Sequence, residues 1–130
     1  MGLDMYAWAV PASVAGDTQT DFLLVDNEGT EKTELAYWRK FNHLHGWMER
    51  LYYAKGGTDE QFNCVSVRLD IKDLDDLVGV LLLNQLSAAS GFFFGSSDIY
   101  PEHIERTHVF IKEARQAIAD GNAVFYNSWW

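Results

Sequence analysis

The sequence predicts an α+β fold, a single two-layer domain spanning residues 1–130 in which a mostly antiparallel sheet packs against about three helices. Three observations predict it. Strand-like segments at both ends bracket longer stretches whose apolar residues recur every three or four positions. Helices and strands alternate only partly, which disfavours a doubly wound parallel sheet. The 130 residues are 48% hydrophobic and 15% aromatic, enough to fill one core and too apolar for intrinsic disorder.

The elements follow in chain order. Residues 3–10 (LDMYAWAV) are rich in strand-forming aromatics, alternate loosely and stop at Pro11. Pro11 to Asp21 is small and polar, a loop, and Phe22–Val25 (FLLV) reads as a second short strand before the turn DNEG. These two strands are placed to pair as a hairpin with a long connection. From Thr33 to Lys55 the period changes: Tyr37, Phe41, Leu44, Met48 and Leu51 form the stripe of an amphipathic helix, which Gly56-Gly57 ends. Its opposite side then carries Arg39, Lys40, His43, Trp47 and Arg50.

Residues 62–69 (FNCVSVRL) alternate as a strand, and Asp70 is placed to cap a helix that buries Ile71, Leu74, Leu77, Val78 and Leu81. Asp73, Asp75 and Asp76 fall in its first two turns, where the helix dipole favours carboxylates. SAAS leads into SGFFFGSSD, residues 90–98. A strand can turn at most two of Phe92, Phe93 and Phe94 to one face. The flanking glycines point to a short, sharply turned segment with at least two rings in the core. Pro101 opens a third helix with Ile104, Phe110, Ile111, Ala114 and Ile118 inward, Gly121 stops it, and AVFYNSWW is a final strand.

The formal charge is -9, from 19 acidic and 10 basic residues, so direct contact with nucleic acid or anionic lipid is disfavoured. An acidic decoy of nucleic acid is the exception that such a charge allows. A lone cysteine, Cys64, excludes an internal disulfide and fits a reducing compartment. MGLDMYAWAV lacks the basic start of a secretory signal, and the longest apolar run elsewhere, Leu77–Leu83, is far too short to cross a bilayer. A cytoplasmic location is expected.

Catalytic signatures are absent from the sequence. His43 and His45 diverge by about 200° on a helix, so they do not chelate one ion; His45 reads as a core histidine and His43 as a surface one. Cys64 reads as a small buried strand residue. No Walker loop, G-x-G-x-x-G or G-x-S-x-G is present, and the aspartates 70–76 lack calcium-loop spacing, so no cofactor and no metal are expected. The basic and aromatic cluster Arg39, Lys40, His43 and Trp47 is the most conspicuous feature of an acidic chain, since guanidinium beside indole holds anionic or aromatic ligands. Phe93, Gly95 and Ser96 join it as a candidate wall and edge.

MGLDMY, ELAYWRKFNHLHGW (34–47), Asn63-Cys64 and SGFFFGS (90–96) together resemble a family of small proteins encoded by bacteriophages and prophages, in the same order along nearly the whole chain. The pattern falls on Gly2, Asp4, Tyr6, Tyr37, Trp38, Arg39, Lys40, Asn42, His45, Trp47, Cys64 and Gly91 to Ser96. After Tyr6 this chain departs from the family's longer basic stretch. The resemblance implies a phage-derived accessory protein acting in the host cytoplasm. A kinase label carried by some similar proteins has no phosphate-binding loop here to support it.

The expected function is therefore binding of a host protein or a small anionic ligand, without catalysis. The alternatives are a small hydrolase or transferase using His45 with Asn42 or Cys64, and the acidic decoy. Trp129 and Trp130 are expected to dock on the body or on a second copy, and a homodimer is expected.

Overall fold

A computed structural model describes residues 3–22, 32–83 and 101–130. Their order is β1 (Asp4–Pro11), α1 (Ala12–Ala15), β2 (Thr33–Arg39), α2 (Asn42–Ala54), β3 (Ser66–Leu69), α3 (Ile71–Leu82), α4 (Pro101–Ala119) and β4 (Asn122–Trp129). The strands form one antiparallel sheet in the order β2-β1-β4-β3, as an α+β fold requires.

Paired residues of antiparallel strands share a face, so the register sorts the sheet. One face carries Met5 with Trp38, and Ala7 with Tyr126 and Val67. Helices α2, α3 and α4 cover it: Leu44, Met48, Tyr52, Leu74, Leu77, Phe110 and Ala114 join those strand residues in one dry cluster. Trp38 meets Phe110 edge to face at 5.2 Å and donates its Nε1–H to Thr107 Oγ1 at 3.1 Å, which satisfies its one polar group. The opposite face carries Asp4 with Arg39 and Trp129, then Tyr6 with Tyr37, Asn127 and Ser66, then Trp8 with Phe125 and Arg68.

Several local expectations hold. Asp70 caps α3 through a reciprocal box with Asp73: each carboxylate accepts the other residue's backbone N–H, at 3.1 and 2.9 Å. Pro101 begins α4, which buries Phe110, Ile111 and Ala114, and Gly121 ends it at φ +89°. The end of the chain is the expected strand.

Others are corrected. The helix expected from Thr33 to Lys55 is a strand, a turn and a shorter helix. TELAYWR satisfies both periods: Tyr37 and Phe41 lie four apart, yet Trp38 is buried between exposed Tyr37 and Arg39, the alternation of a strand. Lys40 at φ +58° breaks the extended chain and Phe41 leads into α2. The loop from Pro11 contains the single turn α1, and the strand expected at 62–69 is confined to Ser66–Leu69. Phe22 stands outside any strand, residues 23–25 lie outside the described residues, and β1 has both edges filled by β2 and β4, which leaves no place for the hairpin. SGFFFGSSD also lies outside the described residues. No helix among them is long and apolar enough to cross a membrane.

Candidate functional site

The expected cluster does not assemble on one helix. Arg39 ends β2 on the uncovered sheet face, and Lys40 is exposed in the turn. His43, expected at the surface, is buried in the first turn of α2, its ring 6.3 Å from that of Phe41. Trp47 is half-buried and lines, with Arg50, Leu51, Ala54 and Asp76, a shallow groove of about 250 Å³. Phe93, Gly95 and Ser96 lie outside the described residues. The helical phase that grouped these side chains ends at Asn42, so the start of the block projects from a strand instead.

His45 and Cys64 also part company. His45 is in the core, 2.8 Å through Nδ1 from the Tyr126 hydroxyl, and burial lowers its pKa to about 4, so it is neutral at pH 7. The same burial raises the Tyr126 hydroxyl well above the usual tyrosine range. Cys64, expected to be buried in a strand, is exposed at φ +60° just before β3. It lines the opposite face of the sheet.

That opposite face holds a cavity of about 270 Å³ lined by Trp8, Asp21, Phe22, Lys32, Cys64, Val65, Ser66 and Asn127. Trp8 and Phe22 form its aromatic floor, their ring centroids 5.9 Å apart, and the buried Phe125 packs nearly parallel to each, at 5.0 and 4.9 Å. The β1–β2 register shifts between Ala7 and Trp8, a bulge beside the floor. Trp8 donates its Nε1–H to Asn127 Oδ1 at 3.1 Å, and the Lys32 ammonium stands 5.4 Å above the Trp8 ring.

The walls come from two segments pinned to β3 and β4. Residues 19–21 cover the free edge of β3: Arg68 N donates to Gln19 O at 2.8 Å and Asp21 N to Ser66 O at 2.9 Å. Phe22 is then held by its N–H to Ser66 Oγ at 2.8 Å. Asp21, at φ +59°, accepts from the Tyr52 hydroxyl at 2.9 and 3.1 Å. On the other wall Cys64 N donates to Ser128 O at 2.8 Å, while Asn63 holds the chain end through Trp130 N and O, both at 2.9 Å. Among the described residues three non-glycines have positive φ, and two of them, Asp21 and Cys64, rim this cavity.

Beyond the cavity the same face rises into solvent. Tyr6 and Tyr37 pack at 5.2 Å, Tyr37 donates to Asp4 Oδ1 at 2.6 Å, which raises its pKa, and Trp129 is 70% exposed. Trp130, by contrast, packs against the core and donates its Nε1–H to Phe62 O at 2.8 Å.

Sequence reasoning missed the cavity because its residues come from five separated segments. Alternation placed Trp8 and Val10 on one face of the first strand, but nothing local announced that this face stays open or that Lys32 stands over it. Among the described residues no three His, Cys, Asp or Glu side chains gather to hold a metal ion. No known protein family, curated protein or solved structure matches the chain.

Proposed function

We propose that the protein is a binding module that takes a small anionic ligand in the Trp8–Lys32 cavity. The observation that carries this reading is the Lys32 ammonium over the Trp8 ring at the mouth of an aromatic-floored cavity. Lys32 makes no ion pair among the described residues, although the chain has nearly two carboxylates for every cation. A cation left over an indole is a receptor for an anionic group carried on an apolar or planar body. The bond from Trp8 to Asn127 and the pinned walls hold the site in shape before a ligand arrives, which lowers the ordering cost of binding.

The resemblance to phage and prophage proteins supports an accessory role in a host cell, and the exposed Tyr37 and Trp129 favour a host protein as the second reading for this face. The hydrolase or transferase reading needs His45 at a surface, and its imidazole is enclosed. The decoy reading needs unpaired carboxylates in a row, whereas Asp73 pairs with Lys55 at 2.5 Å and Asp75 with Arg115 at 2.7 Å.

The test is a titration of the isotopically labelled protein with 3-phenylpropionate, following the Trp8 indole N–H by NMR. Saturable movement of that resonance, weakened about tenfold by Lys32→Gln, is the expected result. A resonance that does not move, or an affinity indifferent to Lys32→Gln, removes the anion site.

A further inference from the structure

We propose that the ligand of this cavity is a zwitterion of the α-amino-acid type, with an ammonium group as well as a carboxylate and an apolar side chain. The inference rests on the anion-binding reading above and names its ligand class. Two opposite charges, Lys32 and Asp21, line one cavity. They are not ion-paired with each other. The site's formal charge is thus balanced, and a dianion such as a phosphate monoester would gain from Lys32 but be repelled by Asp21. A ligand carrying both signs satisfies both.

Hydrogen-bond capacity points the same way. The indole N–H is only a donor, so its bond to Asn127 Oδ1 fixes the amide's orientation and leaves Asn127 Nδ2 as a donor with no partner among the described residues. Nδ2 and the Lys32 ammonium, both beside Trp8, form a donor pair suited to a carboxylate. Asp21 offers the complementary end. Its carboxylate has about four lone-pair sites, and the Tyr52 hydroxyl occupies only part of them while holding the group in place. Between the two ends the Trp8 and Phe22 side chains supply an apolar surface for the ligand's body.

Three probes that share one phenyl ring separate the possibilities: L-phenylalanine, 3-phenylpropionate without the amine, and phenethylamine without the carboxylate. Each is titrated against the full chain at neutral pH, read at the Trp8 indole N–H. Phenylalanine is expected to bind at least about tenfold more tightly than either partner. Asp21→Asn, which keeps an acceptor for Tyr52, should reduce phenylalanine to the affinity of 3-phenylpropionate without weakening the latter. If 3-phenylpropionate binds as tightly as phenylalanine to the wild-type chain, the zwitterion is overturned and the anion site stands. Phenethylamine binding as tightly as phenylalanine overturns it as well. If no probe moves the indole resonance, both readings fall together. The wild-type comparison holds however well Asp21→Asn folds.

Discussion

The two faces of the sheet are made by alternate residues of the same strands, yet they end in different states. The helix-covered face is closed at its centre, with Met5, Ala7, Trp38, Val67 and Tyr126 all at 0% exposure. The other face is graded: Val10 and Ala123 are buried near α1, Trp8 and Phe22 line a cavity, and Tyr37 and Trp129 reach solvent at 36% and 70%. The central apolar groups of the first face serve stability, because they already have their neighbours. On the second face aromatic surface, a cation and hydrogen-bond donors remain available to something else. That asymmetry is why binding is proposed for the second face.

The contrast is broken most directly from the covered side. Trp38→Ala should remove about 4 kcal/mol of unfolding free energy in a urea titration, since it empties a large buried site and removes the indole donor from Thr107, whose hydroxyl keeps only its bond to the His103 carbonyl. If the same measurement gave Trp129→Ala a comparable loss, the graded face would be a second core and the comparison would fail.

Acid tests the covered face differently. His45 has a folded pKa of about 4, below the ordinary 6.5, so the unfolded chain binds a proton first as pH falls. Its contribution is present in full above pH 6.5, declines as pH falls from there to 4, and then levels off, a loss of about 3 kcal/mol. Burial lowers the pKa of His103 as well, which adds to the loss with the same sign. His45→Gln should flatten the pH profile of stability in this window; an unchanged slope would place the titration elsewhere.

Smaller effects sharpen the picture. Asp70→Ala removes one half of the α3 capping box and should cost about 1 kcal/mol without altering probe binding on the far face. Loss of binding in that variant would mean that the two faces are coupled. Trp129→Ala should change stability by less than about 0.5 kcal/mol, because so much of the ring is exposed. If this face also joins two copies, the wild type sediments as a dimer and Trp129→Ala as a monomer. A monomeric wild type removes the homodimer.

The parts that could be read from the sequence are those whose causes lie within a few residues. Asp70 and Asp73 cap α3 by reaching each other's backbone three positions away, and Pro101 and Gly121 bound α4 through their own dihedral preferences. The same local logic failed at Thr33–Arg39. Seven residues fit both a helical stripe and a strand, and the choice was made by β1, whose backbone groups needed a partner on that edge. Cys64 was misplaced for a related reason. The alternation of FNCVSVRL is genuine, but its first residues turn away to hold Trp130 and to meet Ser128.

The sequence by itself determined the α+β class, the capped helices, the apolar stripe of α4 and the closing strand, because hydrophobic period and cap chemistry act at short range. It also determined the surplus of negative charge in which Lys32 stands. Only the tertiary structure decided which face of the sheet the helices would cover. Side-chain alternation makes two apolar faces, and the connections between elements, not the strands, choose which one is buried. That choice gathers Trp8, Asp21, Phe22, Lys32 and Asn127 from segments more than a hundred residues apart into one cavity.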